Sequence, residues 1–448
     1  MKKRIGNIDE SLRYSVKDGI AASVTGGAGD NFISAYAVAL GATNFQLGLL
    51  TAIANVIPGE LFTAKAMEKY SRKQILLFGV LIQALLWLPI ALISVVFLKS
   101  PSLAPLLLII FYTAYAFFGW FLGPAWSSWM KSLTEGKEKG KYFGMRNRIS
   151  GFAGLITAII AGLILDWFKS IGEMFIGFGV LFVIACMARM ISRVYLAKQY
   201  EPKLKLHKGY YFSFWQFLKK APENNYGRFA IFISLINFAV AISSPFFTPY
   251  LLRDLNFNYF TFILINLVIQ TSVALMMMPV WGRFSDKYGN VKMLRMTAWF
   301  VPLIPLMWVL SSSVYWLAFT QVVAGIVWAG FNLSAANFTY DAVTKERMGL
   351  CNAYVIFLSG ISIFLGSLLG GLLASLNITF MNVFLFVFLV SSIIRFVVVL
   401  AMARTIKEVR PVECFNMPHP IKVLDIVNPI KAVHSLVDKY YNDNCKKR

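Results

Sequence analysis

The residue in this sequence best placed to do chemistry is a carboxylate inside an apolar run. Asp30 falls near the middle of residues 20–40, where facing lipid would cost on the order of 3 kcal/mol or more. It therefore faces a cavity or a partner, either taking up and releasing a proton or holding Asn31 and neighbouring backbone in place. Glu60, in Pro58-Gly59-Glu60, is the second proton-coupling candidate, and it also fits a gate residue reached by water. Asp18 reads as interfacial. Arg189, Arg193 and Arg395 lie near the ends of apolar runs, where long side chains reach the headgroups.

Around these charges stand polar and aromatic stripes. Tyr112, Tyr115, Gly119, Trp126 and Trp129 share one face of a helical repeat. Such rings either stack on an organic solute or simply pack. Asn237, Ser244 and Thr248 form one polar stripe and Gln321, Trp328 and Asn332 another, with Ser34 near Asp30. Polar stripes on membrane spans line a cavity or bond neighbouring helices. The three histidines and four cysteines show no zinc spacing, and no Walker-type glycine loop is present, so neither a metal, another cofactor nor a nucleotide is expected.

The elements that must position these residues are membrane helices. The 448 residues are 58% hydrophobic and 14% charged, with a mean hydropathy of +0.64, far from soluble composition. The net charge of +22 does not point to nucleic acid. Of 43 Lys and Arg, only Lys99, Lys169 and Arg253 fall in segments assigned to the outside, so the cations mark cytoplasmic loops. Twelve spans are predicted, at 20–40, 45–62, 75–97, 104–130, 149–167, 174–197, 229–251, 260–281, 293–310, 314–339, 351–376 and 380–403, here α1 to α12. They divide the chain into a cytoplasmic N-terminus (1–19), a six-helix bundle (20–197), a central loop with an interfacial helix at 210–220 (198–228), a second bundle (229–403) and a basic cytoplasmic tail (404–448). The tail carries an amphipathic stripe of Ile430, Val433, Val437 and Tyr440.

Two loops repeat. Gly282-Arg283-Phe284-Ser285-Asp286-Lys287-Tyr288-Gly289 follows α8, and Ala64–Lys73 follows α2, with Tyr70 matching Tyr288 and Glu68 matching Asp286 at a spacing of 218. Phe32 and Tyr36 align with Phe246 and Tyr250, and Gly151 and Gly162 with Gly360 and Gly371 at a shared offset of 209. A duplicated unit follows. Asp30 aligns with Ser244, so any proton role is asymmetric.

Both loops resemble the G-x-x-x-D-[RK]-x-G-[RK]-[RK] loop of major facilitator superfamily transporters. The second copy keeps Gly282, Asp286 and Gly289 but has Asn290 and Val291 for cations. The first keeps Arg72 and Lys73 but has Ala64, Glu68 and Ser71. The resemblance implies an all-α polytopic fold of two six-helix bundles with pseudo-two-fold symmetry, a central cavity lined by α1, α4, α7 and α10, and alternating access. It also implies a cytoplasmic gate of Glu68, Arg72, Gly282, Arg283, Asp286 and Gly289, with Glu68 and Asp286 on the starts of α11 and α5 and with Arg146 and Arg347 as cationic partners. The expected function is proton-coupled efflux of a small organic solute by a monomer in the cell membrane, with an anionic cytoplasmic leaflet against its basic face. Import of a sugar or other metabolite, and a transporter-like receptor without flux, are the alternatives. A polytopic enzyme lacks a catalytic cluster.

Overall fold

A computed structural model of the chain describes residues 2–56, 59–134, 139–202, 214–343 and 348–410. The tail stripe, Arg347 and the side chain of Glu60 lie outside the described residues. The rods run in the predicted order: α3 (Arg72–Lys99), α4 (Ala104–Leu133), α5 (Lys139–Ser170), α6 (Met174–Lys198), α7 (Asn225–Asp254), α8 (Tyr259–Tyr288), α9 (Asn290–Leu310), α10 (Val314–Ala342), α11 (Met348–Ala374) and α12 (Val383–Met402). Among the described residues these ten are long and apolar enough to cross a membrane.

The first two rods differ, and their composition says why. α1 begins at Lys2, far earlier than expected, and runs to Ala28 before a single 3-10 turn at Asp30–Phe32 and a short continuation at Ile33–Ala39. Gly29 sits at the break because the Trp87 ring lies where a side chain would go: a Cβ there would be 2.5 Å from the indole. α2 comes as Asn44–Val56 and Gly59–Lys69. A matching 3-10 turn at Ser244–Phe246 interrupts α7, at the offset that relates Asp30 to Ser244. The repeat is thus visible in backbone geometry as well as in sequence. Between the halves, a short helix runs over Phe214–Lys220.

Turn chemistry fixes the ends. Ser71 and Gln74 form a capping box at the start of α3. Gly289, at φ +94°, ends α8 in a conformation that side chains disfavour. Two carboxylates not singled out in the sequence cap the helices after the repeated loops: Glu201 accepts the N–H of Arg72 at 2.9 Å, and Glu408 that of Val291 at 2.8 Å.

The core has three parts. One mixes residues of both halves, joining Phe32, Tyr36 and Phe178 to Phe246, Phe262 and Phe388, and it lies at the end of the molecule away from the repeated loops. The other two, around Trp129 and around Phe229 and Phe338, are confined to one half each. The halves therefore meet at the far end. There α2 lies against α11 on glycine: a Cβ on Gly48 would come 2.7 Å from the Ser367 carbonyl, and one on Gly360 would come 2.5 Å from the Asn55 carbonyl. Small residues are what allow backbones this close. Hydrogen bonds between the halves cluster at the same end. Asn44 donates to the Ala374 carbonyl, Arg253 to the Ala42 carbonyl, and Asp166 accepts from the start of α8.

Candidate functional site

The break in α1 presents Asp30 to α4. The Tyr115 hydroxyl donates to Asp30 Oδ2 at 3.2 Å, while Oδ1 is buried and takes no hydrogen bond from the described residues. Tyr112 stacks on Tyr115 with centroids 5.8 Å apart, and Trp87 packs against Tyr115 at 4.8 Å. Of the residues expected to line a cavity, the structure gathers Tyr112 and Tyr115 around the acid. A half-satisfied carboxylate beside two phenols can bind a proton or a solute's donor group.

Behind this cluster stands a second layer of polar side chains. Gln83 donates its amide to the Tyr115 carbonyl at 3.2 Å, and its oxygen accepts two N–H groups of Arg189, at 2.5 and 3.1 Å. Arg189 also reaches Ser192 at 3.5 Å, and Ser192 donates to Asp18 Oδ1 at 2.6 Å. Asp18 pairs with Arg146 at 3.6 Å, and the Arg146 guanidinium lies over Trp126 at 4.7 Å. Two expectations are corrected. Asp18 is buried, not interfacial, because α1 begins at Lys2 and carries it into the bundle. Arg189 turns inward to Gln83 rather than towards headgroups. Arg193 donates to the Leu77 carbonyl.

The second half buries a cation of its own, on α12. Arg395 is only 2% exposed, so its expected reach to the surface is also corrected. It donates to Ser243 Oγ at 2.8 Å and to the Val301 carbonyl at 3.3 Å, and its Nε has no partner among the described residues. The other lining candidates differ in exposure. Ser244 and Asn332 are exposed, Ser34, Asn237 and Trp328 are half-buried, and Thr248 and Gln321 are buried.

At the loop end, Glu68, Arg283 and Asp286 are exposed. Arg72 is buried and bonds Ser132, the Ser128 carbonyl and Glu201, so it ties the start of α3 to α4 and to the chain after α6. In the second half Asp341 accepts from Asn290 at 2.6 Å and pairs with Arg410 at 3.0 Å, two contacts the loop pattern alone did not announce. Elsewhere, an apolar groove of about 660 Å³ between α3 and α6, lined by Ser94, Phe175 and Val183 among others, takes no residue of the Asp30 cluster.

Over residues 19–297 and 229–416 the chain matches the family described as Major Facilitator Superfamily. The chain belongs to that superfamily. It is a multi-pass membrane transport protein. No curated protein matches it in sequence. Among solved structures, a point mutant of the nucleoside transporter NupG matches at a TM-score of 0.69 and 15% identity, covering 89% of this chain and 100% of that one. A bacterial homologue of the iron transporter ferroportin in an inward-facing state matches at 0.61 and 14%, over 90% and 99%. The xylose transporter XylE from E. coli, partially occluded and inward open, matches at 0.64 and 11%, over 91% and 100%. These likenesses are of fold.

Proposed function

We propose that this superfamily member is a secondary transporter that expels a small organic solute by alternating access, driven by protons bound at Asp30. The observation that carries the reading is a buried carboxylate at the break of α1, with one oxygen on Tyr115 and the other open to a proton or solute. Intramembrane carboxylates of this kind mark proton relays and substrate paths. Tyr112 and Tyr115 add ring faces for an organic solute. The reading counts the broken α1 and α2 with the ten spans, six helices in each half, and takes the Lys/Arg asymmetry as support for cytoplasmic termini and a cytoplasmic central segment. With that orientation the sealed end is external and the chain faces inward. The family resemblance of the exposed Glu68, Arg283 and Asp286 supports a cytoplasmic gate standing open.

The test is flux in proteoliposomes. A pH gradient should drive solute movement by the wild type, and Asp30→Asn, which keeps the shape but cannot exchange a proton, should abolish it while leaving solute exchange down its own gradient. Driven transport at the wild-type level in Asp30→Asn would remove Asp30 as the coupling site. Absence of any flux would favour a receptor, and driven uptake in place of efflux an importer. Cysteine labelling should reach position 43 from outside and position 205 from inside.

A further inference from the structure

A carboxylate contact between the halves lies far from the repeated loops. Asp166, near the end of α5, accepts the backbone N–H of Tyr259 at 2.7 Å on one oxygen and that of Phe260 at 2.8 Å on the other. These are the first residues of α8, whose opening N–H groups have no partner within the helix. The start of a helix also carries the positive end of its dipole, so a carboxylate there gains charge attraction as well as hydrogen bonds.

One turn before Asp166, Gly162 makes the approach possible. A Cβ on Gly162 would stand 3.2 Å from the Phe260 Cα and 3.2 Å from the Tyr259 carbonyl oxygen. Glycine and aspartate four residues apart thus form a socket on one face of α5 that receives the first turn of α8. Asn258 caps that turn from within, its side chain accepting from Thr261. Tyr259 then packs edge-on against Phe178 at 5.6 Å, which carries the contact into α6.

The pseudo-symmetric socket is built differently. The offset that relates Gly162 to Gly371 sets Ser375 opposite Asp166. Gly371 does lie against the start of α2, with a Cβ 3.4 Å from the Phe45 carbonyl oxygen. Ser375, however, donates back to the Gly371 carbonyl at 2.8 Å, and the polar contact is made by Asn44 reaching the Ala374 carbonyl at 2.7 Å. Of the two sockets, the α5–α8 one holds a carboxylate on a helix start, while at the other Arg253 adds a guanidinium on Asn44 Oδ1 at 3.4 Å.

We propose that Asp166 is the latch of the far-end gate. Its carboxylate on the start of α8 holds the halves together at that end, and its release opens the site to that side. The proposal rests on the alternating-access reading, but its readout is a distance and needs neither solute nor proton gradient. Failure of the flux experiments would therefore leave it standing or falling by itself.

The experiment uses the full chain in nanodiscs, with the four native cysteines replaced by serine and spin labels at Ile171 and Asn256, both exposed beside the socket. Asp166→Asn keeps shape and volume but turns one oxygen into an N–H donor facing another donor. The population with widely separated labels should rise roughly threefold to tenfold. Gly162→Leu, which cannot admit the first turn of α8, should raise the same population by a steric route and keeps the test alive if Asp166→Asn inserts poorly. A wild-type distance distribution in Asp166→Asn overturns the latch, whether or not transport is impaired. So does a Gly162→Leu protein that stays closed.

Discussion

The two halves share a backbone plan but distribute charge differently. In the first, Asp30 stands at the break of α1 and Asp166 at the end of α5. In the second, the matching positions are Ser244 and Ser375. The buried cations differ as well. Arg189 is tied through Gln83 to the residue that holds Asp30, whereas Arg395 has only hydroxyl and carbonyl partners. Two similar frames thus carry different side chains, and only the first has carboxylates at these two positions. In the other, the same region holds its shape with uncharged acceptors around a cation.

The comparison can be broken most directly by moving the acid. A protein carrying Asp30→Ser together with Ser244→Asp should lose driven transport entirely, because no counterpart of the Tyr115 contact serves position 244. Recovery of pH-driven flux in the double variant would show that the halves are interchangeable. The next effect is smaller. Arg189→Leu leaves Gln83 without its cationic partner, while Asp18 keeps Arg146, and driven flux should fall by about tenfold or more while insertion persists, a cost of roughly 1.4 kcal/mol or more. Flux assays at matched protein levels would decide, and unchanged driven flux would reduce Arg189 to packing.

For the second half the prediction reverses. Arg395→Leu removes the hydrogen bonds to Ser243 and to the Val301 and Val240 carbonyls and should lower stability by about 1–3 kcal/mol, read as an earlier thermal unfolding transition in detergent, yet coupling should survive in the folded fraction. Loss of coupling at full stability would give the second half a charge role of its own. The smallest effect is expected at the loop end. If the gate closes as the family resemblance implies, Asp286→Asn removes a charge–dipole contact worth about 0.3–2 kcal/mol and should increase the population open at that end. Distances between labels on the loop-side tips of α5 and α8 would check it.

Much of the frame was legible because repetition and periodicity are one-dimensional signals. The repeated loops, the alignment of Phe32 and Tyr36 with Phe246 and Tyr250, and Asp30 all stand out without coordinates. What sequence does not convey is rotation and depth. Asp166 sits beside Trp167 and close to Lys169, so it reads as one more interfacial charge. Only the inward turn of its face, announced faintly by Gly162 one turn earlier, sets it apart. Arg395 misled for the same reason. A few residues of depth separate a side chain that reaches headgroups from one closed in by α7, α9 and α12. Asp18 was hidden by the length of α1, whose polar opening looks like a tail until it is seen as helix. The sequence places Trp126 on the same face as Tyr115, but its ring belongs to Arg146 at the loop end.

The glycine contact between α2 and α11 has a consequence for speed rather than for balance. Where large side chains interdigitate, separation demands that each be withdrawn past its neighbours, and close packing resists such passage. Gly48, Gly360 and Gly371 present backbone to backbone instead. Two nearly smooth surfaces can slide or part with few rotamers to rearrange, so friction along this seam is low. The few polar contacts at its margin can then set which conformation is favoured, while the bare backbone sets how quickly one gives way to the other. Rate and preference are thereby assigned to different residues, and each can be altered without the other.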